Sequence, residues 1–141
     1  MIIDYFLLHG YVLWILWTIF SLIMISSGRF NKGNIWKSRM KIHLVLGFLI
    51  LILTFIFCNI VPWYKKSSTS HLHTNVGGAV LYAVIPVVVI GLLSRIMLNK
   101  FKWYTRFGLR LKMLHKLLSY LIIIVGNIAI ITGIHSYRTS S

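Results

Sequence analysis

Residues 42–61 read Ile42-His43-Leu44-Val45-Leu46-Gly47-Phe48-Leu49-Ile50-Leu51-Ile52-Leu53-Thr54-Phe55-Ile56-Phe57-Cys58-Asn59-Ile60-Val61, without one Lys, Arg, Asp or Glu. About 20 apolar residues in a helix cross the hydrocarbon core of a bilayer, so this stretch alone reads as a membrane span. Three more long apolar runs follow: Tyr5 to Ser27, closed by Gly28 and Arg29; Thr74 to Leu93, closed by Ser94 and Arg95; and Leu114 to Ile134, whose one charge is Lys116 near its start. In lipid the backbone must satisfy its polar groups within a helix or a closed barrel, and these runs lack a barrel's ten-residue alternation. The expected fold is therefore an all-α, integral membrane four-helix bundle of up-down topology with short basic connectors. It forms a single domain over 1–141, with helices over about 5–27, 42–61, 74–95 and 114–135. Pro62 is expected to end the second helix, and Pro86 to kink the third.

Composition agrees. The chain has 141 residues, 58% hydrophobic and 11% charged, with a mean hydropathy of +0.85. Soluble chains run near half apolar and a quarter charged. Four spans use roughly 80 residues and leave only connectors.

Fifteen Lys and Arg face one acid, Asp4, for a formal charge of +14. A glycosidase or aspartic-protease pair needs two carboxylates, and calcium or magnesium cages need several, so these chemistries are excluded. The basic residues sit between apolar runs, which favours anionic lipids such as cardiolipin, or acidic surfaces of other membrane subunits, over nucleic acid. Arg29, Lys32, Lys37, Arg39 and Lys41 lie in the first connector; Arg95, Lys100, Lys102, Arg106, Arg110, Lys112 and Lys116 lie in or beside the third. Only Lys65, Lys66 and Arg138 fall on the other side. The positive-inside rule then puts the first and third connectors in the cytoplasm or matrix and both termini opposite. The mitochondrial inner membrane is the first expectation for the compartment. The N-terminus shows neither a basic n-region nor an Arg/Ser-rich leader, so any import address is expected to be internal. Cys58 is the only cysteine, which excludes an internal disulfide or cysteine metal cluster. Asn99 to Leu111 interleaves Phe101, Trp103, Tyr104 and Phe107 with cations, as a segment at headgroup level would. No strong internal repeat and no low-complexity tract is read.

Ionisable side chains in membrane helices are costly, so the six histidines carry the functional signal. His9, His43, His73 and His115 each fall near the start of a span. Antiparallel neighbours put His9 and His73 in one leaflet and His43 and His115 in the other, on diagonal helices. Each facing pair can clamp a haem iron axially within the bundle, because neutral imidazole is a good iron ligand and keeps a buried site low in charge. Two axial ligands fill the metal's coordination and leave electron transfer as the task. Gly10, Gly47, Gly77, Gly78, Ser119 and Gly126 offer room for a flat macrocycle or for close helix packing. His71 competes with His73, and His135 competes on the side of His9. The plain alternative is interfacial polar histidines in a structural subunit whose haem sites are partly or wholly vacant. A channel or transporter is a weaker third reading, since no buried acid or cation besides the histidines forms a relay.

The pattern resembles the cytochrome b561 family of membrane di-haem electron carriers, including the versions found beside DOMON domains. The matching stretches are Leu8-His9-Gly10 with Gly28-Arg29-Phe30 at the end of that helix; Trp36, then Ile42-His43-Leu44-Val45-Leu46-Gly47; Leu72-His73-Thr74-Asn75-Val76-Gly77; and Leu114-His115-Lys116 leading to Gly126-Asn127 and Gly133. The resemblance implies two b-type haems, on His9 with His73 and on His43 with His115, and the glycine four residues after His73 prefers it to His71. It also implies an oxidoreductase drawing electrons from ascorbate and passing them to monodehydroascorbate or ferric iron. The connectors here are more basic than the family's, its flanking helices are not seen, and its ascorbate-associated loop pattern is not recognisable. Haem is thus better supported by the resemblance than any substrate.

Overall fold

A computed structural model describes residues 5–29, 36–64, 71–101 and 105–140, with side chains placed for 7–28, 38–59, 73–101 and 105–138. These residues form four long helices and no strand. Helix α1 combines α-helical Tyr5–Ile15, a π-helical turn Leu16–Phe20 and α-helical Ser21–Arg29. Helix α2 is Trp36–Tyr64, α3 is His71–Lys100 and α4 is Thr105–Ser140. Stretches long and apolar enough to cross a bilayer run Leu7–Gly28, Ser38–Asn59, His73–Lys100 and Thr105–Arg138. The protein is a multi-pass integral membrane protein with the expected all-α four-helix architecture.

The helices overrun the boundaries read from hydropathy. Hydropathy marks where lipid ends, whereas the hydrogen-bond ladder continues into water through good helix formers such as Lys, Arg, Met and Leu. Helix α2 accordingly begins at Trp36, among basic residues, and passes Pro62 to end at Tyr64. Pro62 lacks the N–H that would serve the Cys58 carbonyl, and the helix runs less than one turn beyond it. Pro86 lies inside α3 on its exposed side, with helix on both sides of it. The segment Asn99 to Leu111 is built from two helices. It divides between the end of α3 and the first turns of α4, where Arg106, Phe107 and Arg110 are exposed, and residues 102–104 lie outside the described residues.

Each helix packs on its sequence neighbours and α1 closes the ring against α4, which leaves α1/α3 and α2/α4 as the diagonals. The interior is held by Leu13, Leu16, Trp17, Ile50, Val80, Val84 and Ile130. The outer face is just as apolar: Met113 is 74% and Val45 65% exposed. An apolar exterior around a small packed interior suits lipid as solvent, and large exposed patches of this kind do not persist on soluble monomers.

Among the described residues Trp17 is the one aromatic in the buried core. Its Nε1–H donates to Thr54 Oγ1 at 3.0 Å, linking α1 to α2. Its six-membered ring lies over Gly126 of α4, where an added Cβ would come within 2.7 Å. Gly126 thus packs against an indole, the close-packing role that the sequence also allowed it.

Candidate metal-binding site

The four histidines near the helix starts meet as two diagonal pairs. The rings of His9 and His73 have centroids 6.5 Å apart and planes at 88°. Those of His43 and His115 are 6.2 Å apart at 75°. Both pairs are the ones expected from antiparallel helix order. His135 is exposed and belongs to neither pair, while the side chain of His71 lies outside the described residues.

Each ring is oriented in the same manner. Nδ1 of His9 donates to the Phe57 carbonyl (3.0 Å), His43 to Met24 (2.9 Å), His73 to Ala129 (2.8 Å) and His115 to Val87 (2.9 Å). A carbonyl only accepts, so Nδ1 carries the proton and the neutral ring keeps its lone pair on Nε2. The bonds are reciprocal within hairpins: α1 and α2 exchange one in each direction, and so do α3 and α4. The ring pairs join one hairpin to the other. This tautomer and orientation are those that outer partners impose on metal-ligating histidines.

Three glycines seat the rings. A Cβ at Gly28 would lie 3.0 Å from His43 Nδ1, at Gly91 2.7 Å from His115 Cε1, and at Gly133 2.5 Å from His73 Cε1. Each of these glycines follows the accepting carbonyl by four residues, so ring and glycine share one turn of the neighbouring helix. None was among the glycines read as room for a macrocycle: Gly28 entered only as a helix end and in the family resemblance, Gly133 only in the resemblance, and Gly91 not at all. Of the glycines so read, Gly77 and Gly78 have open space where a Cβ would be, Gly47 faces Met24 Sδ at 3.5 Å, and Gly10 faces Ile134 at 2.8 Å. Ser119 donates back to the His115 carbonyl at 2.6 Å. A small cleft of about 40 Å³ adjoins the first pair, lined by Leu7, Gly10, Leu13, Ile130 and Tyr137 besides the two histidines.

The donor set selects the kind of metal group. No cluster of three or more His, Cys, Asp or Glu occurs among the described residues, so a bare ion would have two protein ligands at each level. Two neutral imidazoles suit a metal whose remaining positions come from a planar macrocycle. Metal–imidazole bonds of about 2 Å, with each ring centre about 1.1 Å behind its nitrogen, put facing centroids about 6.2 Å apart. The observed separations, 6.5 and 6.2 Å, fit that span. Fourteen residues at 1.5 Å each separate His43 from the level of Phe57, so the two levels lie about 21 Å apart along the bundle.

The chain matches no protein-family model, no curated protein and no solved structure.

Proposed function

We propose that the protein is a transmembrane electron carrier with two b-type haems, held by His9 with His73 and by His43 with His115. The observation that carries this reading is the double pair of diagonal imidazoles at metal-spanning separation, each ring fixed through Nδ1. Haem b supplies a one-electron iron couple when bound. The chain's part is to present two neutral Nε2 lone pairs per level, hold them through the carbonyls of Phe57, Met24, Ala129 and Val87, and keep water out with Leu13, Leu16, Trp17 and Ile130. One level stands near each membrane face, so the pair of sites forms a path across the bilayer. Resemblance to the cytochrome b561 family suggests ascorbate as donor and monodehydroascorbate or ferric iron as acceptor. The protein acts alone or within a larger redox complex, in the mitochondrial inner membrane as first expectation, with its termini opposite the basic connectors.

The test is vectorial electron transfer. Purified protein in sealed vesicles, with reductant outside and ferricyanide trapped inside, reduces the trapped oxidant; vesicles carrying His9→Leu with His43→Leu do not. Equal rates in the two preparations exclude the reading.

A second reading, a structural subunit docking on anionic lipid or acidic partners, has its own support. Arg39, Lys41, Arg95, Lys100, Arg106, Arg110, Lys112 and Lys116 all lie towards the end of the bundle that carries His43 and His115. Anionic headgroups attract such a cluster by about 1 kcal/mol per cation.

A further inference from the structure

In α2, α3 and α4 the same interval recurs. Fourteen residues separate His43 from Phe57, His73 from Val87 and His115 from Ala129, and eighteen separate His73 from Gly91 and His115 from Gly133. Eighteen residues are five turns of an α-helix, so histidine and glycine share a face. Helix α1 breaks the rule by one residue: Met24 follows His9 by fifteen and Gly28 by nineteen. In a regular helix that surplus would turn everything after it by about 100° away from His43.

The π-turn Leu16–Phe20 lies between His9 and Met24, and a π-turn holds one extra residue without changing the phase of the flanking helix. Its hydrogen bonds show how the residue is absorbed. The Ser21 amide, which would serve the Trp17 carbonyl in a regular turn, donates to the Leu16 and Thr18 carbonyls. The Trp17 carbonyl instead accepts from Asn127 Nδ2 of α4 at 3.3 Å, and Asn127 is anchored by a second bond to the Ile123 carbonyl at 2.9 Å. Thr54 and Gly126 hold the Trp17 indole on its other sides.

We infer that the π-turn is a register corrector, stabilised from α4 by Asn127, that lets α1 serve both levels by keeping His9 in phase with the Met24 carbonyl and the Gly28 seat. Trp17 and Asn127 are positioning residues. The inference concerns helix phase and uses the haem reading only for two readouts, haem retention and the paramagnetic resonance signal.

Deletion of Ile19, which is exposed, removes the surplus residue and leaves a regular helix in phase. Both haems stay bound. Deletion of exposed Ile52 in α2, which has no surplus to give up, loses at least one. Asn127→Ala lowers the melting temperature and shifts the electron paramagnetic resonance signal of the haems in the full-length chain; deletion of Ile19 rescues both. Retention of both haems after loss of Ile52, or their loss after deletion of Ile19, overturns the inference. So does an Asn127→Ala effect that persists in the deletion.

Cross-linking separates this result from the haem reading. In a Cys58→Ser background, Gly10→Cys with Ile134→Cys reports phase before the turn, and Met24→Cys with Gly47→Cys reports it after. Both cross-links form with and without Ile19, even in haem-free protein. Loss of either on deletion contradicts the register correction whatever the haem content.

Discussion

His73 rests on Gly133 so closely that a single methyl there would come within 2.5 Å of the imidazole, while the Nδ1 of the same ring reaches the carbonyl of Ala129, one turn earlier. Glycine and carbonyl form one seat on α4, and Gly91 with Val87 repeats it on α3 for His115.

Gly133→Ala therefore displaces His73 from its carbonyl, and Gly91→Ala displaces His115. Loss of an outer partner of a metal-ligating histidine costs about 10–100-fold in affinity, so each variant releases one haem to apomyoglobin about that much faster. Gly77→Ala, with open space around it, leaves release unchanged. Equal effects at all three positions would contradict the seat.

The imidazole planes within the two pairs cross at 88° and 75°. Nearly perpendicular axial rings keep the iron d orbitals of a low-spin ferric haem close in energy, which gives strongly anisotropic electron paramagnetic resonance signals. Under the proposed di-haem reading both sites are expected to give such signals; ordinary rhombic spectra would mean parallel rings and a different seating.

Thr54→Val leaves the buried Trp17 Nε1–H without its acceptor. Such bonds between membrane helices contribute about 0.6 kcal/mol and at most about 1.7 kcal/mol, and the unfolding free energy in mixed micelles falls by an amount in that range. Replacing both residues, Thr54→Val with Trp17→Phe, loses less than the sum of the two single changes, because the orphaned donor is gone. Strict additivity would show that the bond carries no energy.

Arg106, Arg110 and Lys112 are exposed at the start of α4. Changing all three to Gln reduces stabilisation by cardiolipin by about 3 kcal/mol at low salt, and the difference shrinks as salt is raised. An unchanged cardiolipin effect locates lipid recognition elsewhere.

The bundle and the histidine pairs were legible in the sequence because both follow from what lipid forbids. Uncharged runs had to be helices, antiparallel order fixed which helix starts share a leaflet, and ionisable residues there were rare enough to single out. Gly91 was missed, and Gly28 and Gly133 were read in the family resemblance and not as seats, for a physical reason. Their role depends on a backbone carbonyl of the same turn, and a carbonyl has no side-chain signature. The interval of eighteen residues was open to view in α3 and α4, but α1 hides it behind its surplus residue and α2 has Val61 at the corresponding position. Helix ends were misjudged at Trp36, Pro62 and Thr105 because hydropathy reports the solvent boundary and not the end of the hydrogen-bond ladder.

Haem stoichiometry of the purified protein, from a dithionite-reduced minus oxidised spectrum and the chain concentration, tests the central claim most directly. The account predicts two low-spin b-type haems per chain, one after either His43→Leu or His115→Leu, one after His9→Leu, and two after His71→Leu. A chain purified from haem-sufficient cells with no haem, or one whose haem survives loss of His43 and His9 together, would contradict it.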